Sequence, residues 1–106
     1  MEPLDAPFVP SYATPNYQSY IVKIKNGKKA LRDSIIEQLH KEGIAVKKGI
    51  TAIHKEPYYK EALGEYKLPF TEEANETTFM LPLYPSLKKE EQDFIIDRLR
   101  KVCRKL

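Results

Sequence analysis

Residues 17–43 read YQSYIVKIKNGKKALRDSIIEQLHKEG, and within them the spacing of apolar side chains changes once. Up to Lys25 the period is two: Tyr20, Val22 and Ile24 fall on one side, with Ser19, Lys23 and Lys25 among the intervening positions. Aromatic and β-branched residues in that alternation predict a strand with one buried face. Asn26-Gly27 ends it as a turn dipeptide. From Lys28 onward, Leu31, Ile35, Ile36 and Leu39 recur at helical spacing, with charged residues between them, and Gly43 stands where a helix C-terminal cap belongs. A strand followed by an amphipathic helix must bury both apolar faces against something else in the same domain.

Working outward, residues 1–15 hold Pro3, Pro7, Pro10 and Pro15, which remove backbone donors and fix φ, so an extended arm is expected there. On the other side, Ile44 and Val46, then Ile50 and Ala52, suggest a second extended segment interrupted by Lys47-Lys48-Gly49. His54 to Tyr59 reads as a loop because Pro57 disfavours helix at Glu56, with a helical turn to follow over 59–63. Thr71 is an N-cap candidate for a short helix over 72–76. Thr77 to Leu83 is the third strand candidate, and Pro82 makes it either an edge strand or one that ends early. Ser86 is placed to cap a last helix whose apolar stripe is Ile95, Leu99, Val102 and Leu106. The expected fold is α+β: a two-layer sandwich in which a small, mostly antiparallel sheet of about three strands is packed by two long amphipathic helices. Residues 1–106 form one domain in this reading, with the arm over 1–15 and the folded part over 16–106.

Composition agrees and excludes several function classes. Hydrophobic residues at 42% and charged residues at 31% suit a packed core rather than disorder. The net charge of +3 comes from 18 basic and 15 acidic residues that are well mixed, which argues against a nucleic-acid module. The basic cluster Arg98, Arg100, Lys101, Arg104 and Lys105 falls in the last turns of the final helix, where cations complement the helix dipole. The single cysteine, Cys103, excludes an internal disulfide and a Cys-based zinc site. Neither His40 nor His54 has a partner at metal-ligand spacing, so no metal is expected. No basic-plus-apolar leader opens the chain and no apolar run is long enough for a bilayer, so a cytoplasmic, non-membrane protein is the expectation. Asn75-Glu76-Thr77 fits the glycosylation pattern and is read as coincidental on the same grounds.

The four glycines form neither a phosphate-cradling loop nor a dinucleotide fingerprint, and no self-contained catalytic constellation is visible. Two clusters carry polar chemistry. Asn16-Tyr17-Gln18-Ser19-Tyr20 sets amides and a hydroxyl where the first strand begins, which is equally the composition of a polar strand start. Residues 47–59, Lys47-Lys48-Gly49-Ile50-Thr51-Ala52-Ile53-His54-Lys55-Glu56-Pro57-Tyr58-Tyr59, combine paired cations, a histidine and tyrosines around a proline-stiffened loop. That mixture suits an anion or a sugar, and it also suits a solvated hairpin with stray charges.

The wording of these clusters resembles a family. Asn16 to Tyr20, Gly43-Ile44-Ala45, Lys47-Lys48-Gly49-Ile50, and Ala52 through Tyr59 look like successive C-terminal motifs of the DegT/DnrJ/StrS-type sugar aminotransferases, nearest to the perosamine-synthase-like group. Leu68-Pro69-Phe70-Thr71-Glu72, Leu81-Pro82-Leu83-Tyr84-Pro85 and Glu91-Gln92-Asp93 continue the match in order, so that it runs over residues 8–106. The resemblance implies the small domain of a fold-type-I enzyme that uses pyridoxal phosphate to move an amino group from glutamate to a keto nucleotide-sugar. It implies that a large domain carries the Schiff-base lysine and the phosphate cup, and that the small domain closes over the substrate. By position, Asn16, Gln18 and Ser19 then line the substrate side, Lys48 and His54 reach toward carboxylate or sugar phosphate, and Pro57 and Tyr59 shape the loop. The Lys47-Lys48 pair stands where related sequences often carry two arginines, which replaces a planar fork by a point charge.

No catalytic residue is assigned to the chain itself, and on its own it is expected to bind no pyridoxal phosphate and to catalyse nothing. The expected partner is a large catalytic domain, on a separate chain or missing; the surface such a domain would cover otherwise favours self-association. The alternative is a stand-alone, non-catalytic module of the same ancestry that binds a nucleotide-sugar or a protein.

Overall fold

The computed structural model describes residues 3–105. They run β1 (Leu4–Asp5), β2 (Tyr20–Ile24), α1 (Lys29–Lys41), β3 (Lys47–Lys48), a 3-10 turn at Ile53–Lys55, α2 (Pro57–Leu63), α3 (Pro69–Thr77), β4 (Thr78–Leu81) and α4 (Lys89–Arg104). The strands form one sheet in the order β1-β2-β4-β3, with every neighbouring pair antiparallel. Residues directly opposite on paired strands share a face. Leu4 opposite Ile24 and Val22 opposite Phe79 therefore build one apolar layer. Ile35 and Leu39 of α1 and Leu99, Val102 and Cys103 of α4 close over that layer to make the core. The α+β two-layer architecture is the expected one.

The strand count is four, where three were expected. The additional strand lies in the proline-rich arm: Leu4 and Asp5 sit between Pro3 and Pro7, and two residues are too few to show a period. The second extended segment also differs from expectation. Ile44, Val46 and Ala52 are buried, but the ladder is made by Lys47 and Lys48, the stretch read as an interruption. At the sheet edge these side chains keep their charges in water, while the apolar neighbours turn into the core. β4 stops at Leu81, one residue before Pro82, and it is a central strand rather than an edge.

Helix boundaries moved outward. α3 starts at Pro69, which needs no amide partner at the first helical position, so its cap is Leu68 and not Thr71. α2 likewise starts at Pro57, with Glu56 extended ahead of it. The cap of α4 is Lys88, whose N–H donates to Glu91 Oε1 at 3.0 Å, and Ser86 lies outside it. Leu99 and Val102 are buried as the stripe required and Cys103 joins them, while Leu106 falls outside the described residues. Burial pushes the Cys103 thiol up, toward its unreactive protonated form. At the end of α1, Gly43 N–H donates to His40 O and Ile44 N–H to Leu39 O, with Gly43 at φ 81°. This Schellman arrangement sends Ile44 back against Leu39 in the core.

One of the charged residues between the apolar positions of α1 lies in the core. Arg32 is 1% exposed. Its Nη1 donates to the carbonyls of Asn75 and of Thr78, the latter at 3.2 Å, and its Nε donates to Asp33 Oδ1 at 2.8 Å. From the same place Asn75 Nδ2 donates to Ile50 O at 2.6 Å, and Thr78 Oγ1 accepts from Ile50 N–H at 3.2 Å. Gly49 fits beneath Thr78 only because it has no side chain: an added Cβ would lie 2.6 Å from Thr78 Oγ1 and 2.9 Å from Ile21 Cγ2. Arg32→Ala is therefore expected to lower folding stability by about 3 kcal/mol, since it leaves two buried carbonyls unpaired. Gly49→Ala is expected to cost about 1–3 kcal/mol through crowding. Urea unfolding of the two variants against the parent checks both.

Candidate functional site

The polar strand start forms a tight corner ahead of β2. Asn16 Oδ1 accepts the N–H of Gln18 at 3.1 Å, a local turn in which Tyr17 takes φ 49° and its ring stacks 6.3 Å from that of Tyr20. Gln18 and Ser19 are exposed beyond this corner and line a recess of about 130 Å³ with Lys47 and Met80. Register explains which lysine joins them. Lys47 lies opposite Met80, which lies opposite Ile21, so these three share the face of the sheet away from α1 and α4. Lys48 lies opposite Phe79 and takes the other face at the exposed edge. The recess thus contains the lysine that was not singled out.

The second cluster gathers farther along the chain. His54 sits on the 3-10 turn with a side chain 7% exposed, and neither ring nitrogen has a hydrogen-bond partner. Its Nε2 lies 3.6 Å from Glu72 Oε2 on α3. Lys55 Nζ lies 3.0 Å from Glu72 Oε1, and Leu68 N–H donates to Glu72 Oε2 at 2.9 Å. The hydrogen bond from Lys55, joined by that of Leu68, holds the Glu72 carboxyl below its ordinary value; the same carboxylate raises the Lys55 ammonium. His54 and Lys55 border an open recess of about 650 Å³ together with Lys60, Glu65, Tyr66 and Lys67. Tyr59, on α2, is exposed and packs edge-on against Tyr58 at 5.2 Å.

Of the six expected site residues, Gln18 and Ser19 share one recess and His54 lines another, and the two recesses share no residue. Asn16 acts through the turn it makes, while Lys48 and Tyr59 line neither recess. Glu72 and Lys55 were not singled out. A carboxylate four positions beyond Leu68, in the first turn of a proline-started helix, is the pattern that could have marked Glu72. Among the described residues no group of three or more His, Cys, Asp or Glu side chains could hold a metal, and no helix is long and apolar enough to cross a membrane.

This arrangement of an antiparallel sheet and packed helices superposes on part of solved aminotransferases. TlmJ of Streptoalloteichus hindustanus, described as an aminotransferase, superposes with a TM-score of 0.86 at 24% identity over 99% of this chain and 27% of its own. The sugar aminotransferase Spr1654 of Streptococcus pneumoniae, so described with the qualifier that its activity is inferred, gives 0.77 at 28% identity over 82% of this chain and 22% of its own, in its PMP form. A DegT DnrJ EryC1 StrS aminotransferase of Brucella abortus gives 0.74 at 27% identity over 94% and 26%. The fold is thus that of a sugar-aminotransferase-type domain, and the chain spans about a quarter of the length of these relatives. The chain belongs to the DegT/DnrJ/EryC1/StrS aminotransferase family, whose pattern it matches over residues 5–100.

The family works with pyridoxal phosphate, which requires a lysine amine, an acid against the ring nitrogen and phosphate donors converging on one sheltered place. The residues described here do not meet that requirement. The recess between the sheet and α4, about 300 Å³, is lined by Leu4, Tyr20, Leu81, Ile95 and similar side chains, with no lysine or carboxylate. The open recess carries Lys55, Lys60 and Lys67, all exposed, with Lys55 engaged by Glu72 and Lys60 by Glu65, so none of the three stands in a sheltered place.

Glu72 also sets a pH dependence. Its carboxyl titrates below the ordinary glutamate value in the folded state, so its contribution is fully present above that ordinary value and is lost as pH falls through the lowered one. Amide exchange at Leu68, normalised for intrinsic rate, is expected to accelerate in that acidic window. In Glu72→Ala it is expected to be fast at every pH.

Proposed function

We propose that this chain acts as the substrate-side small domain of a pyridoxal-phosphate-dependent nucleotide-sugar aminotransferase. In this reading the complete enzyme transfers an amino group from glutamate to a keto-sugar nucleotide in amino-sugar or polysaccharide biosynthesis, inside the cell. The cofactor supplies the amino-transfer chemistry and is held by a large domain, on this polypeptide or on a second one. The residues of this chain bind and enclose the substrate. The observation that carries the reading is the family match over residues 5–100, with its motifs in unbroken order from Asn16 to Asp93.

Surface physics supports a partner domain. Phe8, Tyr12 and Phe70 are 87%, 90% and 87% exposed, and α2 has no buried residue. The radius of gyration is 15.3 Å, against about 13 Å for a compact chain of this length. Projecting apolar side chains of this kind gain by being covered.

Co-expression with the large segment of the Streptococcus pneumoniae relative tests the proposal. The pair is expected to take up pyridoxal phosphate and to aminate a keto nucleotide-sugar with glutamate, while this chain alone develops no aldimine absorbance. A borohydride-trappable band on this chain alone would overturn the division of labour. So would a cofactor-loaded pair with no turnover.

A further inference from the structure

His54 poses a physical problem. A buried imidazole whose two nitrogens lack hydrogen-bond partners costs free energy, and its neighbours should explain why it is kept. A charged group, Glu72, faces it at 3.6 Å, and that carboxylate is shared between segments far apart in sequence. One oxygen takes the Leu68 N–H and faces His54 Nε2; the other faces Lys55 Nζ. Glu72 is half sheltered on α3, whose far end is tied through Asn75 to Ile50 and through the Asn75 carbonyl to Arg32. It is therefore a fixed charge, anchored to the body of the domain, against which a surface turn rests.

A carboxylate beside one ring nitrogen favours the tautomer with its proton on that nitrogen and leaves the other as an acceptor. We propose that Glu72 is the positioning residue of the candidate site: it fixes His54 with the proton on Nε2 and Nδ1 as the acceptor, and it pins Lys55 alongside. Nδ1 then suits a hydroxyl donor, such as a sugar supplies, beside the Lys55–Glu72 ion pair. The assignment of a substrate to this turn rests on the sugar-aminotransferase reading; the role of Glu72 toward His54 does not.

The test is ¹⁵N spectroscopy of the two histidine rings in the full 106-residue chain at a pH where both are neutral. His40 is the internal control, because its Nε2 lies 2.8 Å from Val46 O, away from Glu72. Glu72→Gln keeps an acceptor for Leu68 but removes the charge. The parent is expected to hold His54 in the Nε2–H form, and Glu72→Gln to lower the ratio of Nε2–H to Nδ1–H several-fold with His40 unchanged. An unchanged His54 tautomer in Glu72→Gln would overturn the proposal. Glu72→Ala, where folded by the His40 signal, is expected to show the same His54 change together with faster amide exchange at Lys55 and Glu56. Titration of the assembled enzyme with a nucleotide-sugar separates the two levels: a His54 response supports both. A tautomer that depends on Glu72 in an enzyme giving no His54 response keeps the positioning role and removes the sugar from it.

Discussion

The guanidinium of Arg32 is the contact on which the arrangement of this domain turns. It leaves α1, crosses beneath the junction of α3 and β4, and donates to carbonyls on both sides of that junction. A helix running directly into a strand leaves carbonyls that neither element satisfies, and a buried polar group without a partner costs free energy. Arg32 supplies the donors. With the junction fixed, the Asn75 side chain and the Thr78 hydroxyl are free to hold Ile50, and Gly49 can lie flat under Thr78. The turn carrying His54 starts three residues after Ile50. A charge in the core thus sets the position of a turn at the surface.

The fold was legible in sequence wherever an apolar pattern ran long enough to repeat. β2 and α1 follow from the single change of period within residues 17–43, and α4 from its stripe. What escaped had another cause in each case. β1 is two residues long and has no period to read. β3 is made of lysines, because at a sheet edge backbone pairing decides the strand and the side chains can remain in water. Arg32 sits at a position that composition assigns to solvent, and only the geometry of a distant helix–strand junction makes it a core residue.

The site was legible in part for a related reason. Sequence marks which residues can bind, and strand register marks which of them meet. Lys47 and Lys48 are chemically equal, yet adjacent residues in a strand point to opposite faces, so the pairing with Met80 and Phe79 separates them. Glu72 was legible as a helix-start acid and not as the neighbour of His54, since 18 positions apart in sequence carry no sign of contact.

The segment from Pro57 to Leu68 has a further consequence. It is helical over seven residues, contains no buried side chain, and is held at its ends by Glu56 and by the Leu68–Glu72 bond. Substitutions on such a surface change the folding free energy little, whereas those in the core do not escape it. Over evolutionary time the segment can therefore change its sequence, and with it whatever it touches, at almost no risk to the domain that carries it. Recognition is free to drift there while the scaffold stays under constraint.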